Sequence, residues 1–244
     1  MMENIHLILV IINMNNKMKV LIFCSSHYKR GAMLRYVLLD ALNQSHKDFT
    51  LALSLKLDEL KPELYTRLVD DALDSRVVYT ELINHKVCFS HFNLIDTIKS
   101  VPNYQDYDIF IKMDDDDIHK KDYVKNIVEF FNANPDADII SSKISTQLNG
   151  YSLFKNDQGY ETLGRIMEGD NYNMPMTFAF NKKALDAIIN LTAEDIGGEW
   201  DDMVQRKTWI KAGLVHKTVE NKDNIIWNVH GKNASTSDFL ISQT

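Results

Sequence analysis

The run Lys112-Met113-Asp114-Asp115-Asp116-Asp117 follows directly on an apolar, strand-like segment, Asp108-Ile109-Phe110-Ile111. That junction limits the folds open to the chain. Consecutive apolar residues in a short strand belong in a core, whereas four adjacent carboxylates raise one another's pKa and need either water or a bound cation. The strand must therefore cross a core and deliver the acids at its end. Side chains alternate along an extended segment, so Asp114 and Asp116 can point together toward one divalent ion. The plain alternative is a solvated loop that caps the helix beginning near Lys120, with Asp117 suited to capping or to supporting the ligand carboxylates.

Strand and helix patterns alternate around this junction. Lys19 to Ser25 reads as a buried strand, and Arg30 to Leu42 follows with Leu34, Val37, Leu38, Ala41 and Leu42 at the spacing of one helical face. Further strands are expected at 49–55, 76–80, 107–113, 139–144 and 176–180. Helices are expected at 60–73, 91–99, 120–134, 182–191 and 199–212, the last ended by Gly213. Strands separated by helices point to an α/β fold with a mixed, mainly parallel central sheet flanked by helices, in which ligands gather at the strands' carboxyl ends. The acidic run sits at such an end. Residues 145–175 break the pattern: polar, with Gly150, Gly159, Gly164 and Gly169, they read either as a lid or as an irregular hairpin.

With 244 residues, 45% of them hydrophobic and 25% charged, the chain suits a soluble globule with a sizeable core. A formal net charge of −7 and the lack of a long Lys/Arg block argue against nucleic acid or an anionic membrane surface as the main partner. Cys24 and Cys88 form neither a disulfide framework nor a metal-type CxxC, so a reducing, cytoplasmic setting is expected. The apolar run Ile5 to Ile12 is too short to span a bilayer and lacks the features of a signal peptide. Residues 1–17 therefore read as an extension, and 18–244 as one domain.

Two further constellations carry chemistry. Gly197-Gly198-Glu199-Trp200-Asp201-Asp202 runs into Met203-Val204-Gln205-Arg206. Acids are common in first helical turns, where the dipole favours them. Two preceding glycines nevertheless allow close approach of a ligand, and a carboxylate there could accept a proton from an attacking hydroxyl. The other constellation is Trp227-Asn228-Val229-His230-Gly231. His230 is either a hydrogen-bonded structural residue or a donor to a metal that tolerates mixed oxygen and nitrogen ligands, as Mn²⁺ does better than Mg²⁺.

In this order the pieces resemble the GT-A glycosyltransferases of the inverting, family-two type, across most of residues 18–232. Cys24 to Arg30 and the helix ending at Asn43-Gln44-Ser45 look like that family's first loop and helix. Asp114 to Asp117 look like its Asp-x-Asp metal motif, and Glu199 through Arg206 and Gly213 are similar to its Glu-Asp helix. The resemblance implies a GT-A, Rossmann-like fold and transfer of a sugar from a nucleotide diphosphate, with UDP the first expectation. The acceptor would be a hydroxyl of a glycan, a lipid-linked or a protein-linked molecule. It implies Mn²⁺ or Mg²⁺ held by Asp114, Asp116 and His230, and a donor site formed by Ser25, Ser26, Arg30, Asp114 and Asp115. Aligned on Arg206, the family's aspartate falls on Trp200, so the catalytic base is expected at Asp201, then Asp202, then Glu199. Trp200, Tyr172 and Met174 are candidates for the sugar or acceptor wall, against a plain reading as core residues. Two family features have no counterpart: an acid after the second strand, where only Asp58 is near, and an Arg in the helix before the metal strand, around His91-Phe92-Asn93. Polysaccharide, lipid-linked glycan or glycoprotein synthesis would be the setting, in the cytoplasm or at the periphery of a membrane.

Three rivals stand beside this reading. Sugar nucleotidyltransferases resemble one another in a Gly-rich loop after the first strand, and Ser25 to Arg30 contains no glycine. A non-catalytic metal- or carbohydrate-binding protein would use the acidic run only to hold an ion. A nucleotide-sugar hydrolase would cleave the donor at a rate independent of acceptor.

Overall fold

Val20–His27 (β1), apolar over its first five residues, lies between two parallel partners, Phe49–Lys56 (β2) and Ile109–Lys112 (β4). The computed structural model describes residues 18–27, 31–56, 75–81, 89–115, 117–142, 144–149, 165–168, 178–197, 201–219 and 225–229. Gly31–Leu42 (α1) connects β1 to β2, and Phe89–Lys99 (α2) leads from Val77–Glu81 (β3) to β4. Then come Ile118–His119 (β5), Tyr123–Ala133 (α3), Ile139–Ser142 (β6), Ile144–Asn149 (β7), Arg165–Glu168 (β8) and Ala179–Asn181 (β9). Lys182–Ile188 (α4), Ala193–Ile196 (α5), Asp201–Lys211 (α6), His216–Val219 (β10) and Ile225–Val229 (β11) complete the order.

The main sheet runs β10-β6-β9-β4-β1-β2-β3, and among its described strands only β9 is antiparallel to its neighbours. Its central strands are buried on both faces, which explains their near-continuous apolar sequence. Val20, Ile22 and Cys24 of β1 pack with Leu51 and Leu53 of β2, Ile109 and Ile111 of β4, and Val37, Leu38, Val124 and Ile127 from α1 and α3. The alternate residues Leu21, Phe23 and Phe110 face the other side, among Leu94, Ile98, Phe180, Leu185 and Trp209. Strand alternation thus sorts one apolar run into two cores.

A second sheet, β5-β11-β7-β8, stands beside the first. Neither β5 nor β11 of this sheet was legible in the sequence, nor was β10 or the four-residue α5, because such short pieces are defined by their partners. The strand expected across 139–144 is divided between β6 and β7, which belong to different sheets. Of the two readings of 145–175, the hairpin matches what is described, since β7 and β8 pair antiparallel. The remainder of that segment and the helix expected at 60–73 lie outside the described residues. Gly213, at φ 67°, ends α6 as expected.

One polar hub ties the far side of the main sheet together. Asp138, 5% exposed before β6, accepts hydrogen bonds from Val215 N at 2.9 Å, Asn181 Nδ2 at 3.0 Å and Lys183 Nζ at 3.1 Å. Burial by itself would raise its carboxyl, but these donors outweigh it and hold the group below the usual carboxylate range. Asp138→Ala would leave those donors without their acceptor. It is expected to cost about 2–4 kcal/mol in urea unfolding.

Candidate functional site

The carboxyl ends of β1 and β4 define the site. Phe23 is in register with Lys112, and Met113 N donates to Phe23 O at 3.0 Å, so the pairing continues past β4. Asp114 therefore leaves the sheet next to the Ser25 end of β1. Its Oδ1 lies 3.1 Å from Lys112 Nζ. Asp115 and Asp117 are 2% and 3% exposed, so these two acids do not belong to a solvated loop.

Tyr123, buried at the start of α3, donates its hydroxyl to Lys112 O at 3.3 Å. Its phenol is pushed far up, by burial first and then by the charges of Asp114 and Asp117. The hydroxyl thus stays protonated in the negative field of the run. Carboxylate oxygens collected at one strand end are the hard donors that Mg²⁺ or Mn²⁺ takes. Among the described residues no three such side chains close around one point. Asp116 and His230, the other two expected metal ligands, lie outside the described residues.

The chain after the acids is clamped by α1. Gln44, fully buried, donates from Nε2 to Lys120 O at 2.9 Å and Asp40 O at 3.1 Å, and its Oε1 accepts from Val124 N at 3.0 Å. Ser45 N donates to Lys121 O at 2.7 Å, and His119 N to Asp40 Oδ2 at 2.9 Å. Burial raises the Asp40 carboxyl, and the His119 N–H acts in the opposite sense. Asp117 does not cap α3: the N-cap position is Asp122, which makes no side-chain cap bond, and Gln44 satisfies the second helical N–H instead. The strand β5 that leaves this clamp pairs antiparallel with β11, with Ile225 opposite His119 and Ile226 opposite Ile118. β11 consequently heads back along the acidic run and ends at Val229, the residue before His230.

α6 reaches the same end of the sheet. It precedes β10, which is parallel to β6, and a helix feeding a parallel strand starts at the strands' carboxyl ends. Asp201 is its first residue and Asp202, half-buried, its second. Trp209 holds the opposite half, its Nε1 donating to Ala184 O at 2.9 Å and its ring packed on Phe178 and Phe180. Gln205 and His91, both buried, meet at 3.1 Å.

Of the residues expected from sequence, Ser25, Asp114 and Asp115 are described and come together at these strand ends. For Ser26 and Asp201 only the backbone is described. Glu199, Trp200, Arg30, Tyr172 and Met174 lie outside the described residues. The sequence reading assigned no role to Asp40, Tyr123, His91 or Gln205. Their signal was a polar or hydroxyl-bearing residue within an apolar helical face.

No family model matches the chain, and no curated protein matches it by sequence. Solved structures do match. TarS from S. aureus superposes with a TM-score of 0.62 at 12% identity, over 93% of this chain and 39% of that one. A TarS fragment, 1-349, in complex with UDP-GlcNAc gives 0.63 at 12%, over 90% and 61%. The mannosyltransferase PcManGT from Pyrobaculum calidifontis in complex with GDP-Man and Mn²⁺ gives 0.61 at 12%, over 94% and 61%. The chain thus spans between 39% and 61% of the length of these proteins. At this identity the likeness is one of fold, and the fold is the GT-A type of glycosyltransferases, α/β in class. Among the described residues no helix is long and apolar enough to cross a membrane.

His216 of β10 accompanies α6. Its Nε2 lies 2.8 Å from Ser141 Oγ, and burial first, then the charge of Arg206, pushes its imidazole down to about 4. The unfolded chain takes up this proton below about pH 6.5 while the folded chain does not. Stability is therefore full above that pH and is lost as pH falls toward 4. His216→Gln is expected to flatten that loss by on the order of 1–2 kcal/mol, allowing for solvent screening, in urea unfolding at pH 7 and pH 4.5.

Proposed function

We propose that this chain is a metal-dependent, inverting glycosyltransferase that moves a sugar from a nucleotide diphosphate to a hydroxyl of a glycan-type acceptor. The observation that carries the reading is the emergence of Asp114 and Asp115 beside Ser25, with the first turn of α6 at the same end of a GT-A sheet. TarS in complex with UDP-GlcNAc and PcManGT in complex with GDP-Man and Mn²⁺ add support, since both ligands are nucleotide-diphosphate sugars.

Ser25, Ser26, Arg30, Asp114 and Asp115 would line the donor site, while Asp114, Asp116 and His230 would hold Mn²⁺ or Mg²⁺. When bound, such an ion supplies Lewis-acid stabilisation of the departing diphosphate. Asp201 accepts the acceptor's hydroxyl proton, from the first turn of α6 where the helix dipole favours a negative charge. Attack from the side opposite the leaving group inverts the anomeric carbon. Trp200, Tyr172 and Met174 shape the sugar and acceptor wall.

Calorimetric titration of UDP, then of GDP, with Mn²⁺ and again with chelator tests the donor site. Binding should require the metal and be lost in Asp114→Ala and Asp116→Ala; binding indifferent to both would remove the metal from the reading. Asp201→Asn should lower transfer by roughly 10²–10⁴ with nucleotide binding nearly unchanged. A silent Asp201→Asn would favour Asp202 or a non-catalytic binder. Donor cleavage at the same rate without acceptor would favour a hydrolase.

A further inference from the structure

One buried polar pair has no part in that chemistry. Gln205 of α6 and His91 of α2, 4% and 1% exposed, meet across 114 positions of sequence, the glutamine Nε2 donating to the imidazole Nδ1. We infer that this hydrogen bond is a positioning device that sets the first turn of α6, and with it the carboxylate acting as base, relative to the donor site. The inference rests on the transferase reading.

The argument is one of leverage. At about 1.5 Å of rise per residue, Asp201 stands about 12 Å along α6 from Trp209 and about 6 Å from Gln205. Trp209, bonded to Ala184 O, is the far anchor. Held there alone, the helix would turn a tilt of about 5° into a displacement of about 1 Å at Asp201. A misplacement of that size can cost on the order of 10²-fold in rate.

Gln205, one turn before Trp209 and one turn after Asp201, supplies the second anchor. An apolar contact here would tolerate sliding, because burial is non-directional, whereas a hydrogen bond between two planar groups weakens steeply off its axis. The amide nitrogen is a donor only, so Nδ1 is the acceptor of this bond. His91 is itself fixed to the donor side of the sheet. α2 packs Leu94, Ile95 and Ile98 into the core with Leu21 and Phe23 of β1, and its Thr97 hydroxyl is hydrogen-bonded to Ser54 of β2. The pair thus ties the helix that bears the base to the strands that carry the donor site.

Gln205→Leu and His91→Phe abolish the bond at similar volume, while His91→Asn keeps an acceptor near the place of Nδ1. For the first two, kcat of transfer should fall about 10–100-fold while the donor KM stays within about twofold of wild type. Their metal-dependent UDP or GDP affinity should stay within the same limit, and His91→Asn should recover most of the loss. Amide exchange in the first half of α6 should quicken about tenfold in Gln205→Leu and not in His91→Asn. A folded Gln205→Leu with wild-type kcat and exchange would overturn the inference. So would a parallel loss of kcat and nucleotide affinity, or a His91→Asn no better than His91→Phe. Should Gln205→Leu fail to fold, the two His91 variants decide alone. A wild-type protein with neither transfer nor nucleotide binding overturns the transferase reading and this inference with it. Wild-type activity that is indifferent to Gln205 overturns the inference only.

Discussion

The Gln44 amide is the contact on which the rest of the site depends. It is buried at the end of α1, yet its donor and acceptor both go to backbone groups some 75 to 80 residues away. Buried amides are costly unless satisfied, so α1 and the segment 119–124 must stay in one relative setting. The acidic run lies between that segment and β4. Clamped after the run by Gln44, Asp40 and Ser45, and before it by pairing to β1, the acids have little freedom in where they emerge.

The same principle recurs around the sheet's edge. Asp138 binds β6 to the start of β10 and to α4, and Gln205 binds α6 to α2. In each case a polar side chain sits where apolar packing alone would leave the relative setting of two elements loosely determined. The two cores supply the driving force, and these bonds select one arrangement among those the cores would tolerate. Tyr123 belongs to this group, with its ring in the core and its hydroxyl under the acids.

Much of the architecture could be read directly. The apolar runs of β1, β2 and β4 and the helical periodicity of α1 and α3 declared themselves, since each depends on residues close in sequence. The acidic run was legible for the same reason, as was the stop at Gly213. Shorter pieces were not. β5 has two residues and β10 alternates no apolar residues at all, so only their partners define them, whereas the three-residue β9 falls on the strand expected at 176–180. Of the roles open to Asp117, capping of α3 was not decidable locally, because the side chain that satisfies the second helical N–H, Gln44, arrives from just beyond α1.

What the sequence by itself determined is therefore local: the alternation of strands and helices, the two-faced burial of the central strands, and the position of four acids at a strand end. These follow from periodicities of two and about 3.6 residues, which need no knowledge of neighbours. Only the tertiary structure decided that β9 runs antiparallel, that β5 and β11 pair beside the acids, and that Gln44 and Gln205 find partners 80 and 114 residues away. A hydrogen bond across such a distance exists only once both cores have formed, because only then is each polar group withdrawn from water and brought beside its distant partner.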